Sequence, residues 1–324
     1  MTFKLGVVMD PVAGITPYKD TTLAMLLAAQ RRGWELHYME LGDLYLVDGE
    51  ACGRQRRLEV RDNNSDWFTL GEERRTPLAE LDVILMRKDP PVDAAYLYAT
   101  YILERAEQAG VLVANRPQGL RDANEKLFTA GFAACCAPTV VDSDSTRLRA
   151  FIREQGRTVL KPLDGMGGRS IFVVADGDPN TSVILDTLTG EGQLPIMAQR
   201  YIPEISAGDK RILLIDGKPQ DVALARVPLA GETRGNLAAG GRGEGIPLSD
   251  RDRWICEQVS PELRRRGLWF VGLDVIGDYL TEINVTSPTC VRELDGIYGL
   301  DIAGDLLDRL AEIRARQGAG DGSG

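Results

Sequence analysis

Runs of apolar residues and amphipathic stretches take turns along the first third of the chain. Phe3 to Met9 and Leu81 to Met86 are continuous apolar runs that predict buried strands, and Glu35 to Glu40 predicts another. Between them, Asp20 to Arg32 has helical periodicity, with Asp20 as N-cap and Gly33 as stop. Leu44 to Arg61 reads as an inserted hairpin turning at Asp48-Gly49. Asp93 to Ala109 predicts a helix ended by Gly110, and Val111 to Asn115 a further strand. Strands alternating with helices imply an open parallel sheet, ending near residue 120.

The pattern then changes to shorter units. Helices are expected near Asn124 to Phe132, over Ser145 to Gln155 and after Pro179, with strands around Val140, Thr158 to Leu163, Ser170 to Val174 and Ile196 to Tyr201. These predict a smaller α+β lobe. Lys210 to Val227 reads as a hairpin turning at Asp216-Gly217. The glycine-rich run Gly231 to Gly243 is too long for an idle connection and carries or adjoins Arg226, Arg234 and Arg242; it reads as a lid closing on anions, with a plain flexible loop as the alternative. Ser249 opens a helix with Asp252 at capping-box spacing, and Gly267 ends it. A last helix runs from about Leu300 to Ala315, and Gly318 to Gly324 is expected to be disordered. The expected divisions are 1–122, 123–202, 203–316 and a tail from 317.

Gly272 to Val285 is the most informative stretch. Side chains on a strand alternate faces, so register decides which residues meet. With a three-residue turn at Gly277-Asp278-Tyr279, Asp274 lies opposite Glu282 and Gly272 opposite Asn284, leaving Leu273, Val275, Thr281, Ile283 and Val285 on the other face. A two-residue turn would place Leu273 against Glu282 and spoil both faces. The favoured register gathers three oxygen-bearing side chains, as hard divalent cations require. A solvated edge hairpin fits this stretch equally well on its own.

Composition narrows the chemistry. A net charge of −10 argues against nucleic acid or an anionic membrane as partner, and no apolar run reaches membrane-spanning length. Five cysteines without a CxxC pair read as free thiols, which favours a reducing cytoplasm and a soluble protein. The single histidine, His37, sits inside an expected strand, so triad and multi-histidine zinc chemistry would all have to use it. Lysines are scarce, seven among 38 basic residues, so a lysine marks a place where a compact point charge serves. Lys161 roots the loop Asp164-Gly165-Met166-Gly167-Gly168-Arg169, whose glycines let backbone N–H groups approach an anion. Neither a P-loop nor a dinucleotide fingerprint is present. Lysine-rooted flap, acidic ribbon and arginine-bearing loop together make a nucleoside-triphosphate site with metal.

The chain resembles the ATP-grasp superfamily and, within it, the bacterial glutathione synthases. The likeness is carried by Val8-Met9-Asp10-Pro11, Arg87-Lys88-Asp89-Pro90-Pro91, Asn124-Glu125-Lys126, the flap Lys161 to Gly168, Gly208 to Arg211, the loop Gly231 to Arg242 and Thr281 to Thr289. It implies an ATP-grasp fold of α/β class with α+β lobes, preceded by an open parallel-sheet domain. One departure is Arg200, where asparagine is expected.

The resemblance also implies roles. Lys126 and Lys161 would contact ATP phosphates under a cover of Gly165, Met166, Gly167 and Gly168. Gln199, Arg200, Tyr201 and Ile202 would line the adenine, and Asp209 the ribose region. Asp274, Glu282 and Asn284 would hold two Mg²⁺ ions, with Mn²⁺ as a substitute. Arg211 would stabilise the acyl phosphate and its tetrahedral successor, Arg226 and Arg234 would hold substrate carboxylates, and Ser287, Thr289 and Arg292 would complete the peptide site. The implied reaction joins γ-glutamylcysteine to glycine in a homo-oligomer, a tetramer. Alternatives are another ATP-grasp carboxylate–amine ligase, adding glutamate to a peptide or joining two D-alanines, or a nucleotide-binding module without turnover.

Overall fold

The computed structural model describes residues 2–165, 167–228 and 242–320. Its first unit contains β1 (Lys4–Val8), α1 (Thr21–Arg31), β2 (Glu35–Met39), β3 (Leu44–Val47), β4 (Glu50–Val60), β5 (Phe68–Pro77), β6 (Val83–Met86), α2 (Ala94–Gln108), β7 (Leu112–Ala114) and α3 (Pro117–Asp122). The expected parallel sheet is there as four strands, β2-β1-β6-β7. It is not purely parallel, because β4 adds antiparallel to β2 and carries β3 and β5 on its flanks. Strand β5 escapes a hydrophobic-pattern reading because Gly71-Glu72-Glu73-Arg74-Arg75 is exposed and charged rather than alternating.

The stretch expected as a helix over 124–132 is instead 3₁₀ helix from Leu127 to Cys135, broken at Phe132. Asn124 Oδ1 accepts from the backbone N–H groups of Lys126 and Leu127, so the preceding residues are held in a side-chain-capped turn. A second, four-stranded sheet follows: β8 (Thr139–Asp142), β9 (Arg157–Pro162), β10 (Phe172–Ala175) and β11 (Ile196–Arg200), ordered β10-β9-β11-β8 and antiparallel throughout. Helices α4 (Ser145–Gln155) and α5 (Thr181–Thr189) contribute Leu148, Ile152 and Leu185 to a small core with Leu160, Val174 and Ile196.

The third sheet, ordered β14-β13-β12-β15-β16, comprises β12 (Asp209–Ile215), β13 (Lys218–Val227), β14 (Arg242–Pro247), β15 (Phe270–Ile276) and β16 (Tyr279–Asn284). Helix α6 (Asp250–Arg265) starts at the expected capping box of Ser249 and Asp252. In this last part of the chain two elements are additional to the pattern reading, β14 itself and α7 (Val291–Tyr298), as β5 and α3 are in the first unit. Gly243 and Gly245 disguise β14; a Cβ on Gly245 would lie 2.5 Å from the Tyr298 ring, so glycine is what lets α7 pack there. Helix α8 (Ile302–Gly320) returns to the first unit, where Arg32 pairs with Asp308 and Arg31 with Asp301.

Two larger cores run from the first sheet into the third. One joins Ile84, Met86 and Val113 to Val271, Leu273 and Ile255; the other joins Leu5, Val7 and Leu112 to Phe270, Leu294 and Leu306. The middle sheet's core shares no buried residue with either among the described residues. Asn115 pins the first unit to the third: its amide nitrogen donates to Phe270 O at 2.8 Å and Val285 O at 2.7 Å, and its oxygen accepts from Phe270 N at 2.8 Å.

Candidate active site

Strands β15 and β16 pair Asp274 with Glu282 and Gly272 with Asn284, as the hydrophobic pattern requires. The route differs from the expected three-residue turn. Ile276 pairs with Tyr279 across a two-residue turn, and one extra residue between the Asp274 and Val275 pairings shifts the register back. That residue is Thr281, whose hydroxyl donates to Asp274 O at 3.1 Å. The bulge leaves Leu280 opposite Val275 inside the core.

Next to this ribbon, β12 sets Arg211 opposite Asp274, and β13 sets Arg226 opposite Asp209. Arg211 donates to both Asp274 oxygens, at 2.5 and 3.0 Å, and Arg226 reaches Asp274 at 2.9 Å while also hydrogen-bonding Asp209. All three of Arg211, Arg226 and Asp274 are buried. Burial alone would raise the Asp274 carboxyl, but the two guanidinium groups outweigh it and hold it well below the usual carboxylate range. Asp209 goes the other way: burial, reinforced by the Asp274 charge, pushes it above its ordinary value despite Arg226. Asp209 Oδ1 and Arg226 Nε are both buried with no hydrogen-bond partner among the described residues. Gly272 makes room for the arginine, since a Cβ there would stand 2.8 Å from Arg211 Cδ.

The opposite wall comes from the middle of the chain. Lys161, near the end of β9, is buried and donates to Thr281 O at 3.3 Å; burial pushes its ammonium below the ordinary lysine value, against the pull of Glu282. Lys126 lies 3.4 Å from Glu282 Oε1 and hydrogen-bonds the Gly165 carbonyl, tying ribbon to flap. Gly167 and Gly168 have φ of 66° and 75°, a conformation other residues adopt only under strain. Val159, Ile171, Val173, Ile202 and Ile276 form an apolar slot beside Gln199 and Tyr201. Gln199 donates to Thr139 Oγ1 at 2.9 Å. Arg200 is occupied by its neighbour: Nη2 donates to Tyr279 Oη at 3.0 Å, and the guanidinium lies 5.4 Å from that ring.

These walls enclose a cleft of about 340 Å³. Of the residues singled out from sequence, Lys126, Lys161, Gly165, Gly167, Gly168 and the run Gln199 to Ile202 line it, as do Asp209, Arg211, Arg226, Asp274, Glu282, Asn284, Ser287 and Thr289. Arg292 does not: its guanidinium is bonded to Asp62 at 2.5 Å. Met166 and Arg234, with the glycine-rich run from Gly231 to Gly241, lie outside the described residues. Glu125, Asp89 and Arg169 also line the cleft and were not singled out as site residues. Glu125 sat inside the Asn-Glu-Lys stretch, but an acid before a lysine carries no spacing signal of its own.

The lining is nearly balanced in charge, six basic side chains against five acidic ones. A triphosphate adds several negative charges to that balance, so an added cation is what the chemistry calls for. The ribbon supplies an oxygen-only donor set, Asp274, Glu282 and the carbonyl of Asn284, whose amide nitrogen is committed to Gly272 O at 3.2 Å. Among the described residues no three His, Cys, Asp or Glu side chains form a closed metal cage. An open set of two carboxylates and one amide suits a divalent ion that keeps positions for phosphate and water. Among the described residues, no helix is long and apolar enough to cross a membrane.

Comparison with known proteins agrees with this geometry. Residues 3–121 match the model of the prokaryotic glutathione synthetase N-terminal domain, and 125–299 that of the prokaryotic glutathione synthetase ATP-grasp domain. The glutathione synthetase of Pseudomonas putida is 61% identical over 317 residues, 98% of this chain and 100% of the relative. That of Escherichia coli O157:H7 is 57% identical over 314 residues, covering 97% and 99%. Among solved structures, the D-cycloserine synthetase DcsG superposes with a TM-score of 0.67 at 16% identity, covering 96% of this chain and 99% of its own. The ATP-grasp ligase PsnB, complexed with Mg, ADP and a precursor variant, gives 0.61 at 19%, covering 96% and 98%. Such low identities establish the fold alone, and it is the ATP-grasp fold. Full-length identity near 60% and two matched domains establish more: the chain belongs to the prokaryotic glutathione synthetase family, whose members are ATP-grasp ligases.

Proposed function

We propose that this chain joins the cysteinyl carboxylate of γ-glutamylcysteine to the amine of glycine, consuming ATP and forming glutathione, ADP and phosphate. Family membership supports the overall activity; the observation that carries the mechanism is the convergence of Asp274, Glu282 and Asn284 with Lys126 and Lys161 in one cleft. In the first step a dipeptide carboxylate oxygen attacks the γ-phosphorus, breaking its bond to the bridging oxygen and giving an acyl phosphate plus ADP. The glycine amine then adds to the acyl carbon, loses a proton, and the tetrahedral species expels phosphate.

No side chain needs to act as nucleophile, so positioning and charge stabilisation supply the rate. Lys126 and Lys161 would meet the phosphates, and Gly165, Gly167 and Gly168, which line the same cleft, would offer N–H groups over them. The apolar slot of Val159, Val173, Ile202 and Ile276 takes the base. Divalent ions on the ribbon, two Mg²⁺ with Mn²⁺ as substitute, would neutralise charge developing on the transferred phosphoryl group. Arg211 and Arg226 hold Asp274 in a fixed direction and present N–H groups to the acyl phosphate and substrate carboxylates. Ser287 and Thr289 line the end of the cleft that would take the peptide. We read the three sheets as three lobes, divided near 122 and 202, and assign the protein to the cytoplasm as a homotetramer.

Phosphate release with Mg²⁺ and ATP, measured across a panel of dipeptide and amino-acid pairs, tests the reading. γ-Glutamylcysteine with glycine should exceed all other pairs by at least about tenfold. Preference for a peptide with glutamate, or for two D-alanines, would replace the substrate assignment with that of another carboxylate–amine ligase.

A further inference from the structure

Strand β16 is the outer edge of the third sheet, and its ladder to β15 ends at Asn284. Beyond that point the Asn115 amide holds Val285 O, and Glu125 holds the backbone N–H groups. Its Oε1 accepts from Val285 N at 2.9 Å, Thr286 N at 3.0 Å and Thr286 Oγ1 at 2.8 Å, and its backbone oxygen accepts from Ile283 N at 2.9 Å. These four bonds bracket Asn284 on both sides. The adjoining Lys126 reaches Glu282, so residues 125 and 126 stand where an edge strand would otherwise have a neighbour.

We propose that Glu125 is a positioning residue for the metal-binding end of the ribbon, fixing residues 283–286 so that Asn284 and Glu282 present their oxygens to the same ion. This rests on the nucleotide-and-metal reading of the cleft. Three donors converge on one oxygen, so a single acceptor at residue 125 sets the positions of two successive backbone N–H groups and one hydroxyl.

The test is direct binding of Mn²⁺ to the full chain with a non-hydrolysable ATP analogue, followed by loss of the free-ion electron paramagnetic resonance signal. Glu125→Gln keeps the acceptor oxygen and should bind within about twofold of wild type. Glu125→Ala removes the clamp and should bind at least about tenfold more weakly, the range typical of groups that orient metal ligands. Thr286→Val deletes one donor without touching Glu125 and should weaken binding about threefold; it decides the matter if the alanine variant does not fold. Wild-type affinity in Glu125→Ala or Thr286→Val overturns the proposal, as does a Glu125→Gln variant as weak as the alanine, which would assign the effect to charge. A wild-type chain that binds no Mn²⁺ with the analogue removes the site reading and this proposal together, whereas normal binding without ligation removes only the substrate assignment.

Discussion

At Asp274 two guanidinium groups and a carboxylate meet out of water, and each residue restrains the next. Arg211 grips both oxygens from β12 and Arg226 touches one from β13 while holding Asp209. Removing one partner of a buried pair is costly, roughly 3–5 kcal/mol, chiefly because the other charge is left behind. Here Arg226 still faces Asp274, which moderates that loss. Arg211→Ala should therefore remain folded and bind ATP within about threefold, measured by calorimetry, while turnover falls about 100-fold or more, the scale of losing one donor to a developing oxyanion. Unchanged turnover would remove Arg211 from the chemistry. Asp274, Glu282 and Asn284 are legible in sequence because strand periodicity decides which side chains share a face. The sharing of Arg226 between two acids is not, since nothing in the order of residues says that β13 brings it beside β15's neighbour.

Elements were legible where burial imposes a period and illegible where it does not. The ribbon shows the boundary of that rule. Alternation demands that Asp274 face Glu282, and a three-residue turn and a two-residue turn with a bulge satisfy it equally; the pattern constrains parity, not where the extra residue sits. Strand β5 turns only Phe68 and Leu70 to the core and β14 only Ile246, and α7 follows Pro288 and the left-handed Cys290, which break any helical signal. Helix α7 also carries a pH-dependent cost. Asp295 Oδ1 accepts from the Ile302 N–H at the start of α8, and its pKa is pushed up to about 6, by burial first and then by Asp301 and Asp305. The folded state thus binds this proton more tightly than the unfolded chain, so Asp295 subtracts stability as pH rises from about 4 through 6. Asp295→Asn keeps the acceptor and loses the charge. Its urea midpoint should exceed that of wild type at pH 8 and match it near pH 4; an equal gain at both would contradict this origin.

On the scale of the whole molecule, the first and third sheets share two cores while the middle sheet stands on its own smaller one. Asn115 is the polar counterpart of that sharing, with three buried hydrogen bonds from the end of β7 to Phe270 of β15 and to Val285 just past β16. Asn115→Ala leaves Phe270 N without its partner, and should lower unfolding free energy by about 2–4 kcal/mol in urea titration; a change below about 0.5 kcal/mol would mean the cores alone join the units. The alternation that announces a parallel sheet was readable from the first hundred residues, whereas the joint between units was not, because Asn115 looks like any polar residue ending a strand. All three units contribute to the cleft, Asp89 from the first, Lys161 from the second and Asp274 from the third. The central claim is that phosphate passes from ATP to the dipeptide carboxylate inside that cleft. It is tested most directly with γ-glutamylcysteine carrying ¹⁸O in its cysteinyl carboxylate. The account predicts one ¹⁸O atom in the released phosphate for each glutathione formed; phosphate free of label, with both labelled oxygens unaccounted for in it, would contradict the account.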